Sequence, residues 1–222
     1  MRKVITGAFV SMDGVMQAPG GPTEDPTKGF KHGGWAVPFI EEVFGEEVDA
    51  LFGQPFDLLL GRKTYEIFAA HWPFMEGGPD DAIAKKFAAI TKYVASRKGV
   101  DLTWDKSVAL RDGAADVAKL KQEDGPALIT QGSSDLIQTL LAHDLIDEVW
   151  LFTFPVVLGH GKKLFGEGVP ARSFKLTHSR LSGAGVVIGR YARVGEVTVG
   201  DYAMDPPTPL EAKRQERMKR EG

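Results

Sequence analysis

Short apolar runs that end at a glycine or polar turn recur along this chain, and they constrain its fold more than any other feature of the sequence. Residues 57–60 stop at Gly61, and residues 127–130 are followed by Gln131 and Gly132. Runs of this length are typical of strands buried on both faces of a parallel sheet. Because segments of helical periodicity alternate with them, the sequence predicts an α/β fold with a mixed, mainly parallel sheet flanked by helices.

The C-terminal part of the chain departs from this alternation. Residues 174–181 and 186–194 are rich in β-forming residues and flank a Ser-Gly-Ala-Gly turn, which indicates an antiparallel hairpin at the edge of the sheet. Residues 205–222 contain several prolines, five Lys or Arg and four Asp or Glu. We therefore predict one domain over residues 1–200 and a charged, proline-containing tail over residues 201–222, helical when docked on a partner subunit.

Composition excludes several classes of protein. Lys and Arg total 27 against 30 Asp and Glu, and this net charge of −3 gives no electrostatic basis for binding nucleic acid or an anionic membrane. No apolar run approaches the ~20 residues of a membrane span, and the N-terminal run is interpreted as a strand rather than a signal peptide. Cysteine is absent and the histidines lack metal-ligand spacing, so we expect a cytoplasmic protein without a metal site.

Residues suited to binding anions follow two of the predicted strands. Gly61 is followed by Arg62, Lys63 and Thr64 at the start of a helical pattern. A glycine lets a ligand approach the backbone closely, and the N–H groups at a helix N-terminus favour phosphate. The alternative is a tight turn with a solvated basic pair. Gln131 and Gly132 are followed in the same way by Ser133, Ser134 and Asp135, for which the alternative is an ordinary serine N-cap.

A third strand end carries Ser96 and Arg97, and a guanidinium there suits a phosphate monoester, although a solvated strand end is the alternative. Because the carboxyl ends of parallel strands share one edge of a sheet, the three strand ends together match the pyrophosphate and 2′-phosphate of NADPH. No G-x-G-x-x-G fingerprint follows a strand, so a standard Rossmann site is not indicated.

The order SMDG, LLLGRKTYE, VASRK, ITQGSSDLIQTLL and DLIDEVWLFTFPVVLGHGKKLF resembles the dihydrofolate reductase-like family, and most closely the branch of the riboflavin-biosynthesis reductase domain. The resemblance spans residues 4–194. It implies an NADPH-dependent reductase that is often a homodimer. The cofactor-binding residues that it implies are Gly61, Arg62 and Thr64 at one phosphate turn, Ser96 and Arg97 near the adenosine 2′-phosphate, and Gly132, Ser133, Ser134 and Asp135 under the pyrophosphate.

Three further residues are candidates for the substrate end of the predicted site. Riboflavin-pathway reductases usually carry a glutamate where this chain has Gln131, which we expect to contact the substrate. Trp35 either covers the substrate or packs in the core. Asp13 is the best candidate for proton delivery, and the alternative is a turn aspartate that bonds its own backbone.

Three functions remain open from the sequence. The first is hydride transfer from NADPH to a small heterocyclic or ribosylamino-pyrimidine-like substrate. The second is reduction of a dihydrofolate or other pterin, which a first-helix glutamate pointing into the cleft would favour; Glu41, Glu42, Glu46 and Glu47 lie in that region. The third is a non-catalytic nucleotide-binding protein on the same fold. The apolar run over residues 149–154 is either a central strand or close to a dimer contact.

Overall fold

A computed structural model describes residues 1–75, 77–78 and 80–221. Over these residues it contains one eight-stranded sheet with helices on both faces. The strands are β1 (Val4–Ser11), β2 (Phe56–Gly61), β3 (Lys92–Ala95), β4 (Ser107–Leu110), β5 (Ala127–Thr130), β6 (Glu148–Phe154), β7 (Ser173–Leu181) and β8 (Val187–Gly195). The helices are α1 (Glu42–Leu51), α2 (Arg62–Ala69), α3 (Asp81–Ala89), α4 (Gly113–Gln122), α5 (Ser134–Ala142) and α6 (Pro209–Glu221).

The strand order is β4-β3-β2-β5-β1-β6-β8-β7. Strands β1 to β6 pair in parallel, whereas β8 runs antiparallel to β6, and β7 runs antiparallel to β8. This arrangement confirms the predicted mixed, mainly parallel sheet with a C-terminal antiparallel hairpin. Strand β6 lies between β1 and β8, so the apolar run over residues 149–154 is an interior strand of the sheet.

The sheet separates two hydrophobic clusters, and this explains why its strands are apolar on both sides. Phe44 of α1, Tyr65 of α2 and Phe87 of α3 belong to one cluster. Val117 of α4 and Leu136 of α5 belong to the other. Helices α2 and α5 therefore leave the neighbouring strands β2 and β5 toward opposite faces. Such a reversal opens a crevice at the carboxyl ends of the strands, where ligands bind in open α/β sheets.

Two segments that contain proline, one before α1 and one after α2, form 3₁₀ turns. Pro38 begins only a 3₁₀ turn (Val37–Phe39), because Ile40 and Glu41 are extended before α1 starts at Glu42. Helix α2 ends at Ala69 and is followed by a separate 3₁₀ turn (Trp72–Phe74) that contains Pro73. A proline lacks the N–H that would continue the helical hydrogen bonds.

The C-terminal tail is helical in the single chain, whereas we expected it to be helical on docking. None of the residues of α6 is buried. Arg214 pairs with Glu211, and Arg220 pairs with Glu216, at the spacing that supports a solvent-exposed helix. None of the helices in the described ranges has the length and apolar character needed to cross a membrane.

Candidate functional site

A cavity of about 440 Å³ opens at the carboxyl ends of β1 and β5, beside helices α1 and α2. One end is formed by the turns that follow β2 and β5, and the long β1–α1 connection covers another side. Much of the wall is apolar, so a flat ring system can be held there away from water. The apolar part of the wall includes Phe9, Ile40, Phe44, Ile67, Phe68 and Trp72.

The two predicted glycine turns touch each other at one end of this cavity. The Gly61 N–H donates a hydrogen bond to the Gly132 carbonyl over 3.2 Å. A Cβ at Gly61 would lie 2.2 Å from Ser133 Oγ, and a Cβ at Gly132 would lie 2.7 Å from Thr64 Oγ1. Gly132 also has a φ of +147°, which disfavours any residue with a side chain. Both glycines are therefore required for the close approach of the two turns.

The turns present hydrogen-bond donors that the protein leaves free. Gly61 and Ser133 are the N-cap residues of α2 and α5, and neither helix has a side-chain cap hydrogen bond. Thr64, Ser133 and Ser134 line the cavity, and their hydroxyls make no hydrogen bond within the described part of the chain. Helix N-terminal N–H groups with adjacent hydroxyls suit phosphate oxygens. This donor set therefore fits the pyrophosphate of a dinucleotide cofactor.

Two lysines and an aspartate form a charged cluster in the cavity wall. Lys162 pairs with Asp25, and Lys63 Nζ lies 3.9 Å from Asp25 Oδ1 and 3.3 Å from Thr27 Oγ1. Burial, and then the nearby Lys162, lower the pKa of Lys63. Burial alone would raise the pKa of Asp25, but the hydrogen bonds from Lys162 and Thr27 outweigh burial and lower it. The ionised cluster carries one net positive charge.

Gln131 lies in the cavity wall, as expected for a substrate contact. Within the described residues its side-chain amide makes no hydrogen bond, so both the oxygen and the NH₂ group are available to a bound molecule.

Helix geometry, rather than residue type, decides which side chains of α2 reach the cavity. Lys63, Thr64, Ile67 and Phe68 line it and share one helix face at i, i+1, i+4 and i+5. Arg62 lies off this face and pairs with Glu66 at 2.7 Å. Of the predicted cofactor residues Arg62 and Thr64, only Thr64 lines the cavity, and Lys63 is the cation of α2 in its wall. The helical period could have identified Lys63, whereas tertiary contacts with Gln17 and Asp25 hold Lys162 at the cavity.

Three other predicted cofactor residues lie outside the wall of this cavity. Ser96 Oγ donates to the Gly99 carbonyl over 2.8 Å, which holds the turn after β3. Arg97 is exposed in that turn, and Asp135 is exposed in the first turn of α5. Because none of the three lines the cavity, a role for them requires a ligand that extends beyond it.

Asp13 also lies outside the cavity wall. Its carboxylate accepts hydrogen bonds from Ser11 Oγ at 2.7 Å, from the Leu158 N–H at 3.0 Å and from the Gly159 N–H at 2.9 Å. These bonds, chiefly the one from Ser11, lower the pKa of Asp13 to about 2. A carboxylate that is ionised at neutral pH and held by three hydrogen bonds is a poor proton donor, so the geometry favours the structural alternative.

Trp35 packs in the core rather than over the cavity. Its side chain is 8% exposed, its Nε1 donates to the Gln17 carbonyl over 2.8 Å, and its ring meets Phe154 edge-on at 5.2 Å. Of the two roles predicted for Trp35, packing in the core is the one observed.

The glutamates near the first helix do not line the cavity. Glu47 pairs with Arg190 and His178, and Glu46 pairs with Arg180. Glu41 accepts a hydrogen bond from the Gly183 N–H over 2.7 Å. The remaining one, Glu42, is exposed at the start of α1. The feature that would favour a pterin reductase is thus not seen in the described residues.

Comparison with known sequences identifies the family. The RibD C-terminal domain family matches residues 2–188, which is most of the chain. This chain belongs to that family. Uncharacterized protein YyaP of Bacillus subtilis (strain 168) is 28% identical over 193 residues, which cover 84% of this chain and 92% of YyaP.

Solved structures place this RibD C-terminal domain among dihydrofolate reductase-like folds, as predicted. A protein of Shewanella sp. PV-4 that is named provisionally for riboflavin biosynthesis has a TM-score of 0.61 and 22% identity, covering 86% of this chain and 99% of that one. Dihydrofolate reductase from Enterococcus faecalis, solved with NADP(H), has a TM-score of 0.54 and 12% identity, covering 86% and 96%. At these identities the similarity demonstrates a common fold.

Proposed function

We propose that this RibD C-terminal domain protein is an NADPH-dependent reductase that transfers a hydride to a small heterocyclic or ribosylamino-pyrimidine-like substrate. The observation that carries the proposal is the contact between two glycine turns, at Gly61 and Gly132, at one end of a largely apolar cavity. Their uncapped helix N-termini and free hydroxyls favour a pyrophosphate, and the apolar wall favours a flat ring beside it.

Each group in the cavity has a role in this proposal. When bound, NADPH supplies the hydride, and the protein contributes binding, orientation and electrostatics. The first-turn N–H groups of α2 and α5, with Thr64 and Ser133, hold the cofactor's phosphates, and Lys63 adds a full positive charge beside them. Phe9, Phe44 and Phe68 exclude water from the ring-binding part. The Gln131 amide orients the substrate by donating and accepting hydrogen bonds.

Calorimetric titration and a turnover assay test the proposal together. We expect NADPH to bind with measurable heat and to be oxidised in the presence of 5-amino-6-(5-phosphoribosylamino)uracil, with 7,8-dihydrofolate as the second substrate tested. Turnover of dihydrofolate alone would identify a pterin reductase. Binding of NADPH without turnover of either compound would favour a non-catalytic nucleotide-binding protein. Absence of any binding at millimolar NADPH would overturn the proposal.

Arg97 remains a proposed contact for the adenosine 2′-phosphate. Because only NADPH carries that phosphate, Arg97→Ala should weaken NADPH by roughly three- to tenfold, as expected for one exposed charge pair, and leave NADH unchanged. Calorimetry with both cofactors measures the two losses, and Lys98→Ala, in the same exposed turn, is the matched control. Equal losses for NADPH and NADH would contradict the role given to Arg97.

A further inference from the structure

Five of the described cavity residues can carry a charge or a proton, and three of them are bonded to one another. Asp25 holds Lys162 and Lys63 in the cluster described above. The other two are Glu24, in the β1–α1 connection, and His71, just beyond α2. Glu24 makes no ion pair within the described residues. It is therefore the cavity carboxyl that no cation neutralises.

Glu24 is held in a defined position by the backbone. Its Oε2 accepts a hydrogen bond from the Gly20 N–H over 2.7 Å. A Cβ at Gly20 would lie 3.3 Å from the same oxygen, so the glycine leaves room for the carboxyl. The bond holds the carboxyl in the cavity wall.

Glu24 also lies between two compartments. The site cavity adjoins a shallower and more open groove of about 410 Å³ along the outer side of α2. Glu24 and His71 border both, whereas Glu66 borders only the groove. A carboxyl in this position can exchange a proton with solvent on one side and with a bound molecule on the other.

We propose that Glu24 is the proton donor for the reduction. This inference rests on the proposed function. Addition of a hydride to the carbon of a C=N bond leaves a negative charge on nitrogen, and the Glu24 carboxyl supplies the proton that forms the N–H bond. The hydride brings two electrons and one hydrogen nucleus to the carbon, and NADPH is thereby oxidised to NADP⁺. Glu24 adds one further proton, at the nitrogen. The Glu24 carboxylate then recovers a proton from water in the groove.

The charges around Glu24 are consistent with this role. Burial raises the pKa of Glu24, and the adjacent Asp25 raises it further, against hydrogen bonds from Gly20 and Gly21 and the opposing effect of His71. Lys63 borders the same groove, and Lys162 lies in the cavity wall beyond Asp25. Asp13, by contrast, has its pKa lowered to about 2 and stays ionised.

The test compares Glu24→Gln with Glu66→Gln, which removes a carboxyl from the groove alone. With NADPH and whichever of the two substrates named above wild type reduces, Glu24→Gln should lower kcat by roughly 100-fold, which is typical for loss of a general acid. Wild-type kcat should fall as the pH rises through the Glu24 pKa, and Glu24→Gln should lose that limb. Glu24→Asp should recover part of the rate, and Glu66→Gln should leave both kcat and the pH profile unchanged.

A second measurement needs no cofactor. In ¹³C NMR titration of the free protein, the Glu24 side-chain carboxyl should titrate above ordinary glutamates, with the signal assigned by its loss in Glu24→Gln. Unchanged kcat and pH profile in Glu24→Gln would overturn the proton-donor role while leaving the reductase intact. Failure of wild type to oxidise NADPH with either substrate would instead overturn the proposed function, and the donor role with it.

Discussion

Charged groups at the amino ends of the strands are bonded inside the protein, whereas several polar side chains that follow β2 and β5 face a cavity. Buried Arg2 donates to Asp57 and to the Pro126 carbonyl, and buried Lys92 donates to the Ala88 and Asp105 carbonyls. At the other end, Thr64, Ser133 and Gln131 make no side-chain hydrogen bond within the described residues.

The amino ends of the strands therefore contribute to the stability of the fold, whereas the carboxyl ends contribute to ligand binding. A buried charge is costly unless it is paired, so the amino-end pairs must be complete for the fold to persist. Donors at the carboxyl end stay in contact with water and cost little while unbonded, which leaves their hydrogen bonds available to a ligand. Substitutions at the amino ends should therefore change the free energy of unfolding, and substitutions at the carboxyl ends should change the affinity for NADPH.

The largest effect is expected for Arg2→Met. It leaves Asp57 buried without its cation, and breaking a buried pair in this way typically costs about 3–5 kcal/mol. Urea unfolding measures the loss, and NADPH affinity should be unchanged at temperatures where the variant is folded. The matched control is Lys3→Met, because Lys3 makes an exposed pair with Glu148 at the same end of β1. That change should cost less than about 1 kcal/mol. A similar loss of stability in both variants would contradict the difference expected between a buried and an exposed ion pair.

A smaller effect is expected from the titration of Lys92. Burial, and then Lys106, lower its folded-state pKa from 10.5 to about 8, and its Nζ lies 4.4 Å from the Trp104 ring centroid. Between these two values the unfolded chain binds more protons than the folded one, so this group's contribution to stability rises with pH. The rise is at most about 3 kcal/mol. The free energy of unfolding, measured from pH 7 to 10.5, should show this rise in wild type but not in Lys92→Met. Parallel pH dependences in the two proteins would contradict the contribution given to Lys92.

The fold could be predicted because its cause is visible in the sequence. Strands covered by helices on both faces must be apolar throughout, and β5 has the predicted bounds. The glycine turns could be predicted because glycine is needed where two backbones approach each other, as they do at Gly61 and Gly132.

Much of the rest of the site depends on contacts that one strand or helix cannot encode. Gln17 fixes the β1–α1 connection by donating to the Asp25 and Thr27 carbonyls and accepting from the Lys162 N–H. Only this tertiary arrangement brings Glu24 and Lys162 to the cavity. Asp13 was selected as a candidate acid from its position at a strand end, but two of its three hydrogen bonds come from residues about 145 positions away.

The smallest effect, and the most direct comparison, concerns two adjacent cations on α2. Lys63→Met should weaken NADPH by about tenfold, or about 1.4 kcal/mol, because Lys63 lies in the cavity wall beside Thr64. Arg62→Met should change the affinity by less than about twofold, since Arg62 pairs with Glu66 outside the cavity. Both variants lose one positive charge, so a long-range electrostatic effect would weaken NADPH equally in each. Calorimetry at two salt concentrations measures the difference, and a greater loss for Arg62→Met would show that its side chain, rather than that of Lys63, turns toward the bound phosphates.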